Sequence, residues 1–281
     1  MKIKIAAFYL FFLMILSSHL SAQEFGFGLK AGLGYSTLKG DMADGESTSY
    51  KSGFHVGPSF SLKITDMFGI RAEFLYNQFG TGYEYSGPSY FVLRGASDLR
   101  TDVLGEKTIK YDNFLSYIDI PVMVYVKLRD KIELYGGVNA MIFTGGTAGG
   151  TVNFESNSTG IIDKRLDYSY NTDDERKGDG EPTIVSFRGR SYSIPETLGA
   201  YYDFDEKDGR AYNTLDFGVN AGVNFYFNEA LFIGGRVYYG LSDVTNNDLD
   251  IHQQVESGGS VTKSDDKDQH LSFQVSLGFS F

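Results

Sequence analysis

One feature constrains this chain more than any other: eight stretches in which apolar and polar or small residues strictly alternate. The final stretch runs to the terminus, with Leu271, Phe273, Val275, Leu277, Phe279 and Phe281 alternating with Ser272, Gln274, Ser276, Gly278 and Ser280. Period two is the mark of a strand with two unlike faces. The other stretches fall at 25–36, 54–64, 68–77, 117–127, 132–142, 215–227 and 231–241. Most reach the ~9–11 residues a tilted strand needs to cross a bilayer, whereas ordinary strands cluster near 5–6.

The connections come in two sizes that alternate. TDMFG, LRDKI and FNEAL are tight hairpin turns. The others are long: 38–52, 85–113, 148–212 and 242–269. An up-and-down meander places all short turns at one end and all long loops at the other, as in transmembrane β-barrels with short periplasmic turns and long extracellular loops. With an even strand count, both termini lie on the short-turn side. The long connections read as loops, and NTDDERKGDGE and KSDDKDQ as solvated tips. Within 148–212, TIVSFRGRSYSIP alternates about a glycine and predicts a local hairpin.

Alternating strands build two opposite objects. A soluble barrel turns its apolar face inward, and a membrane barrel turns it to lipid. The polar face decides between them. It is mostly Gly, Ser, Asn and Gln with few charges, which suits a crowded lumen rather than a water-facing surface. The fold class expected is therefore all-β, an eight-stranded antiparallel transmembrane barrel. Phe25, Phe68, Phe227, Leu231 and Phe281 mark the short-turn edge of the apolar band. Tyr35, Tyr76 and Tyr239 mark the other edge, as interface girdles do.

Buried charges must pair, so the inward polar residues Lys30, Arg71, Glu73, Asp119, Glu133, Asn139 and Arg236 are the candidate structural network of the lumen. Lys63, Lys127 and Asp216 stand near strand ends, where the water-exposed rim is an equal alternative. His55 is read as a lumen polar residue.

The amino terminus gives location. Lys2 and Lys4 precede an apolar run, Ile5 to Leu16, followed by SSHLSAQ. This describes a secretory signal peptide over 1–22, cleaved after Ala22 or Gln23, with a short anchor helix as the alternative. The domain division expected is 1–22 signal peptide and 23–281 a single barrel domain. The formal charge is −11, and removing Lys2 and Lys4 gives 23 − 36 = −13. Nucleic acid is excluded as a partner, since it requires a basic surface. The absence of cysteine excludes disulfides, thiol-linked lipid and Cys-ligated metal.

No catalytic chemistry is visible. Of the four histidines, His19 leaves with the signal peptide, and His55, His252 and His270 have no metal-site spacing. DFDEKDG lacks the acid spacing and downstream Glu of a calcium loop, and the cluster around Asp173, Asp174, Glu175 and Asp179 reads as a solvated charge run. The G-x-G of GFGLKAGLG sits inside a strand, not before a helix. No cofactor, metal or catalytic residue is expected.

GFGLKAGLGYSTLKGD, LSYIDIPVMVYVKL, LDFGVNAGVNFYF, RVYYGLSDV and the Phe-terminated tail resemble the outer-membrane β-barrel domain proteins of Bacteroidetes, the "porin family" or PorT-like group. The resemblance implies an outer-membrane location and an eight-stranded barrel; outer-membrane lipid is the expected partner and a monomer the expected state. The resemblance also implies that Phe279 and Phe281 act as the C-terminal signal read by the barrel-insertion machinery. One branch resembles a factor for protein secretion, whose partners are other envelope proteins. Four functions stand open: a structural or binding barrel presenting acidic loops, a secretion accessory, a small channel and a barrel enzyme. The first is expected.

Overall fold

The computed structural model describes residues 24–95, 100–129, 131–171, 180–204, 209–249, 253, 255 and 267–281. The expected signal peptide, His19, His252 and most of the acidic loop clusters lie outside the described residues.

The described chain forms thirteen strands: β1 Glu24–Lys39, β2 Glu46–Lys63, β3 Phe68–Glu73, β4 Leu75–Arg94, β5 Arg100–Leu128, β6 Ile132–Ser156, β7 Gly160–Ser169, β8 Thr183–Phe187, β9 Arg190–Ile194, β10 Thr197–Leu198, β11 Leu215–Tyr226, β12 Leu231–Gly240 and β13 Gln269–Ser280. Their antiparallel pairings return on themselves. β13 pairs with β1, β1 with β2, and β2 with both β3 and β4. These two pair with β5, which pairs with β6; then β6 with β11, β11 with β12, and β12 with β13. Closure leaves the ring without a free edge. The tail is thus the closing strand, with Leu29 opposite Phe279 and Tyr35 opposite Phe273.

β3 and β4 form one stave interrupted at Phe74. Extrapolating the β2 register puts Phe74 opposite Pro58. The Phe74 N–H donates to the Pro58 carbonyl at 3.0 Å, but proline has no N–H to return the bond, so the ladder breaks there. Taking β3 with β4, the ring has eight staves: β1, β2, β3/β4, β5, β6, β11, β12 and β13. Gly57 is required at this point, because a Cβ would lie 2.0 Å from the Phe74 carbonyl oxygen.

At the short-turn end the expected faces appear. Phe25, Leu33, Val122, Val138, Val275 and Leu277 are exposed on the outer wall, whereas Lys30, Arg71, Asp119, Asn220 and Ser276 are buried inside it. The other end differs from expectation. The stretches read as loops at 38–52, 85–113 and part of 148–212 are mostly strand. β4 and β5 stay paired from Leu75 opposite Asp119 to Arg94 opposite Arg100. β5 alone is 29 residues, about 95 Å of strand at ~3.3 Å per residue. β6 and β7 pair from Thr147 opposite Ser169 to Ser156 opposite Gly160.

This extension is a cap with its own core. Tyr85, Phe91, Val103, Phe154, Ile162 and Leu166 are buried together there. The hairpin predicted in TIVSFRGRSYSIP is β8–β9, turning on Arg188 at φ 50° and Gly189 at φ 75°, the left-handed pair of a tight hairpin. Its Val185, Phe187, Tyr192 and Ile194 complete the cap core.

A single bulge reverses the polarity of β6. Ser116 faces Gly145 but Tyr117 faces Phe143, so Thr144 is an extra residue. Below it Glu133, Asn139 and Met141 point inward; above it Ala148, Val152 and Phe154 do. The parity changes from odd to even, as one inserted residue requires. The Thr144 hydroxyl donates to the Ser116 carbonyl at 2.9 Å, and its own carbonyl accepts from Asn171 Nδ2 at 2.7 Å. β6 is therefore apolar outward in the lower wall and apolar inward in the cap.

Candidate functional site

The interior of the lower ring collects charge from non-neighbouring staves. Glu73 on β3 receives Lys30 Nζ from β1 at 3.3 Å and the Arg236 guanidinium from β12. Arg71, two residues before Glu73 and so on the same face, holds Glu133 of β6 in two bonds of 2.6 and 2.8 Å. Asn224 Nδ2 and the Tyr226 hydroxyl, both on β11, also donate to Glu133, at 2.8 and 3.1 Å. Asp119 joins a different group, accepting from Asn77 at 3.1 Å and Asn139 at 2.8 Å, while Asn139 accepts from Asn220 at 2.6 Å. His55 bonds the Ser276 hydroxyl at 2.8 Å.

All seven candidate network residues are buried inside the ring. The structure brings Lys30, Arg71, Glu73, Glu133 and Arg236 into ion pairs. Asp119 differs from expectation: among the described residues its hydrogen-bond partners are amides, not a cation. The set holds three cations, Lys30, Arg71 and Arg236, and three carboxylates, Glu73, Asp119 and Glu133, so it is formally neutral, the condition for leaving water.

The rim residues divide. Lys63 is partly exposed and reaches Glu24 at 3.3 Å and Asp66 at 3.2 Å. Lys127 lies 4.6 Å from the centre of the Tyr226 ring. Asp216 is not in rim water: it is 1% exposed and accepts from Tyr238 at 3.2 Å and Ser242 at 2.5 Å. Just before its strand starts at Leu215, Tyr212 bridges Thr245 across the end of the ring, where a water-exposed rim was the alternative.

Above the charges lies an aromatic layer. His270 stacks on Phe79 with centroids 4.4 Å apart, and its Nε2 lies 3.2 Å from the Tyr117 hydroxyl. Tyr238 and Phe143 pack on the same group. Above this layer, between ring and cap, is a cavity of about 220 Å³. Its wall is a run of tyrosines, Tyr83, Tyr111, Tyr168, Tyr170 and Tyr212, with successive centroids 4.8 to 6.0 Å apart. Sequence reasoning missed this cavity, because its residues lie on stretches read as loops. The signal that could have found it is the alternation of Tyr83 and Tyr85, or of Tyr168 and Tyr170, beyond the membrane-length runs. Among the described residues no group of three or more His, Asp or Glu is placed to hold a metal.

At the closing strand, Phe279 and Phe281 both lie on the outer wall. The Phe281 ring is 5.8 Å from that of Phe27, and its N–H donates to the Phe27 carbonyl at 2.7 Å.

A closed antiparallel ring with an apolar outer wall and a polar interior is a transmembrane β-barrel. The sequence profile of the outer membrane protein beta-barrel domain matches residues 21–246, and the chain belongs to that family. Its location is the outer membrane. No curated protein matches it. Among solved structures it is similar to Ail, the attachment invasion locus protein of Yersinia pestis, solved with the heparin analogue sucrose octasulfate. The identity is 12%, coverage is 92% of this chain and 99% of that one, and the TM-score is 0.36. OprG from Pseudomonas aeruginosa shares 11% identity over 91% of this chain and 95% of its own, TM-score 0.37. Neisserial surface protein A shares 10% over 91% and 97%, TM-score 0.32.

Proposed function

We propose that this protein is a non-catalytic barrel that holds a folded cap at the cell surface for recognition. The observation that carries the reading is the reversal of polarity along β6 at Thr144. Below it the wall suits lipid; above it the strands carry a water-facing surface over an apolar core. The interior supports anchoring rather than conduction, because ion pairs and an aromatic layer fill it. On this reading the acidic character of the long connections belongs to the presented surface, and the chain works as a monomer without cofactor. Phe279 and Phe281 are assigned as the signal for barrel insertion, supported by their place at the end of the closing strand.

Two measurements on the intact protein test this. Reconstituted in planar bilayers, it is expected to show no stable conductance. In intact cells, external protease is expected to cut the cap and leave the lower ring. Stable open-channel steps, or a cap cleaved only after the outer membrane is permeabilised, would overturn the reading. The group that Tyr117–Met123 and Gly240–Val244 resemble has a branch with a role in protein secretion, and no motif here assigns the chain to it. A deletion strain with normal export of secreted proteins removes that role.

A further inference from the structure

The cavity under the cap contains a buried cation that makes one hydrogen bond among the described residues. Lys107, on β5, is 4% exposed and lines the cavity wall. An ammonium carries three donors. Among the described residues Lys107 Nζ makes one hydrogen bond, to Gln253 Oε1 at 2.8 Å, and lies 5.0 Å from the centre of the Tyr90 ring. No described carboxylate lies within 4 Å of it. Burial lowers the pKa of this ammonium, with the more distant Asp203 carboxylate opposing. In the lower ring Lys30, Arg71, Glu73, Glu133 and Arg236 sit in ion pairs; among the described residues this cation has an amide and a ring.

We propose that the cavity binds a compact organic monocarboxylate, its carboxylate on Lys107 Nζ and its apolar body against the tyrosine wall. A carboxylate supplies both the acceptors and the opposite charge that a desolvated ammonium lacks. An apolar or aromatic body fits Phe91, Ile109, Leu166, Tyr111 and Tyr168, which share the lining with hydroxyl and amide side chains such as Thr81 and Asn113. The volume suits a small ring: about 220 Å³ equals roughly seven waters at ~30 Å³ each. Charge narrows the class further. Asp41, Glu46, Asp203 and Asp268 also line the cavity, and Asp41 is exposed. Acids there oppose phosphate and dicarboxylates, while a single negative charge reaching Lys107 is offset locally. The proposal is independent of what the cap's outer surface recognises.

The test uses the whole chain refolded in detergent micelles, titrated calorimetrically with benzoate. Benzamide matches its shape without the charge, benzyltrimethylammonium reverses the charge, and acetate removes the ring. Saturable benzoate binding is expected, with each of the other three at least ~10-fold weaker. Lys107→Met should lose benzoate binding by a similar factor while keeping heat-modifiable migration on gels. Should that variant fail to fold, the wild-type chain decides alone. Benzoate, and not benzamide, should slow acetylation of Lys107 by acetic anhydride, read by mass spectrometry. No saturable benzoate binding, equal affinity for benzamide, a Lys107→Met chain that binds as wild type, or equal protection by both probes overturns the proposal.

Discussion

Arg71 and Glu133 meet across the inside of the ring in two parallel bonds, Nη1 to Oε1 at 2.6 Å and Nη2 to Oε2 at 2.8 Å. Their strands, β3 and β6, are not neighbours, since β5 runs between them. The pair therefore ties one side of the ring to another without help from the backbone ladder. Its fork geometry is one that Arg presents and Lys does not.

This pair makes a non-additive prediction. Arg71→Met alone strands the Glu133 carboxylate in a buried site, which costs about 3–5 kcal/mol. The double change Arg71→Met with Glu133→Leu removes both charges and should cost far less than the two single changes summed. Urea unfolding of the four proteins in lipid vesicles measures the coupling. A coupling near zero would mean that Tyr226 and Asn224 suffice for Glu133.

Face assignment makes another. Val122 and Leu277 are exposed on the outer wall, so Val122→Arg or Leu277→Arg should cost about 2–4 kcal/mol near the bilayer midplane. Ser276 points inward, is buried, and bonds His55 at 2.8 Å. Ser276→Asn must displace that ring in a filled interior and should cost about 1–3 kcal/mol by overpacking. The same vesicle unfolding assay compares them. Arginine tolerated at Val122 and Leu277 at a cost below about 1 kcal/mol would contradict the parity of the wall.

How much of this was legible in sequence follows from range. Faces in the membrane section were readable because alternation is local: Phe273 outward forces Gln274 inward. Partners were not, because Arg71 and Glu133 are 62 residues apart and only closure of the ring sets them face to face. Asp119 looked like an ion-pair member by type alone, and its amide partners Asn77 and Asn139 depend on register. The cap was misread as loop because its strands alternate with weaker contrast and opposite sense. A one-residue bulge at Thr144 changes parity without leaving any compositional mark.

That bulge can be tested directly. Deleting Thr144 with Gly145 sets Gly146 opposite Ser116 and shifts the alternation by one, which turns Ala148, Val152 and Phe154 toward water and Thr151 and Asn153 toward the cap core, whereas deleting Thr144 alone removes only the extra residue and keeps these faces. The lower ring keeps its own pairs, so heat-modifiable migration should persist. The cap should lose protection, with proteinase K cutting within 145–170 at rates at least ~10-fold above wild type. A double-deletion variant as resistant as wild type would show that the cap does not depend on this change of parity.

Lys107 links cap stability to pH. Its pKa in the folded chain is lowered by burial, so between that value and the ordinary lysine value near 10.4 the unfolded chain binds more protons than the folded one. Stability from this group therefore rises as pH rises through that window, and the ammonium is destabilising below it. Lys107→Met removes the group and the effect with it. The variant should be more stable than wild type at pH 7, in the absence of any carboxylate ligand, and its advantage should shrink steadily toward pH 10. Other titrating groups are common to both proteins and cancel in the difference. Urea unfolding of the two chains at pH 7, 8.5 and 10 gives the comparison. A difference that is flat across this range would mean that Lys107 keeps its ordinary pKa in the folded cap.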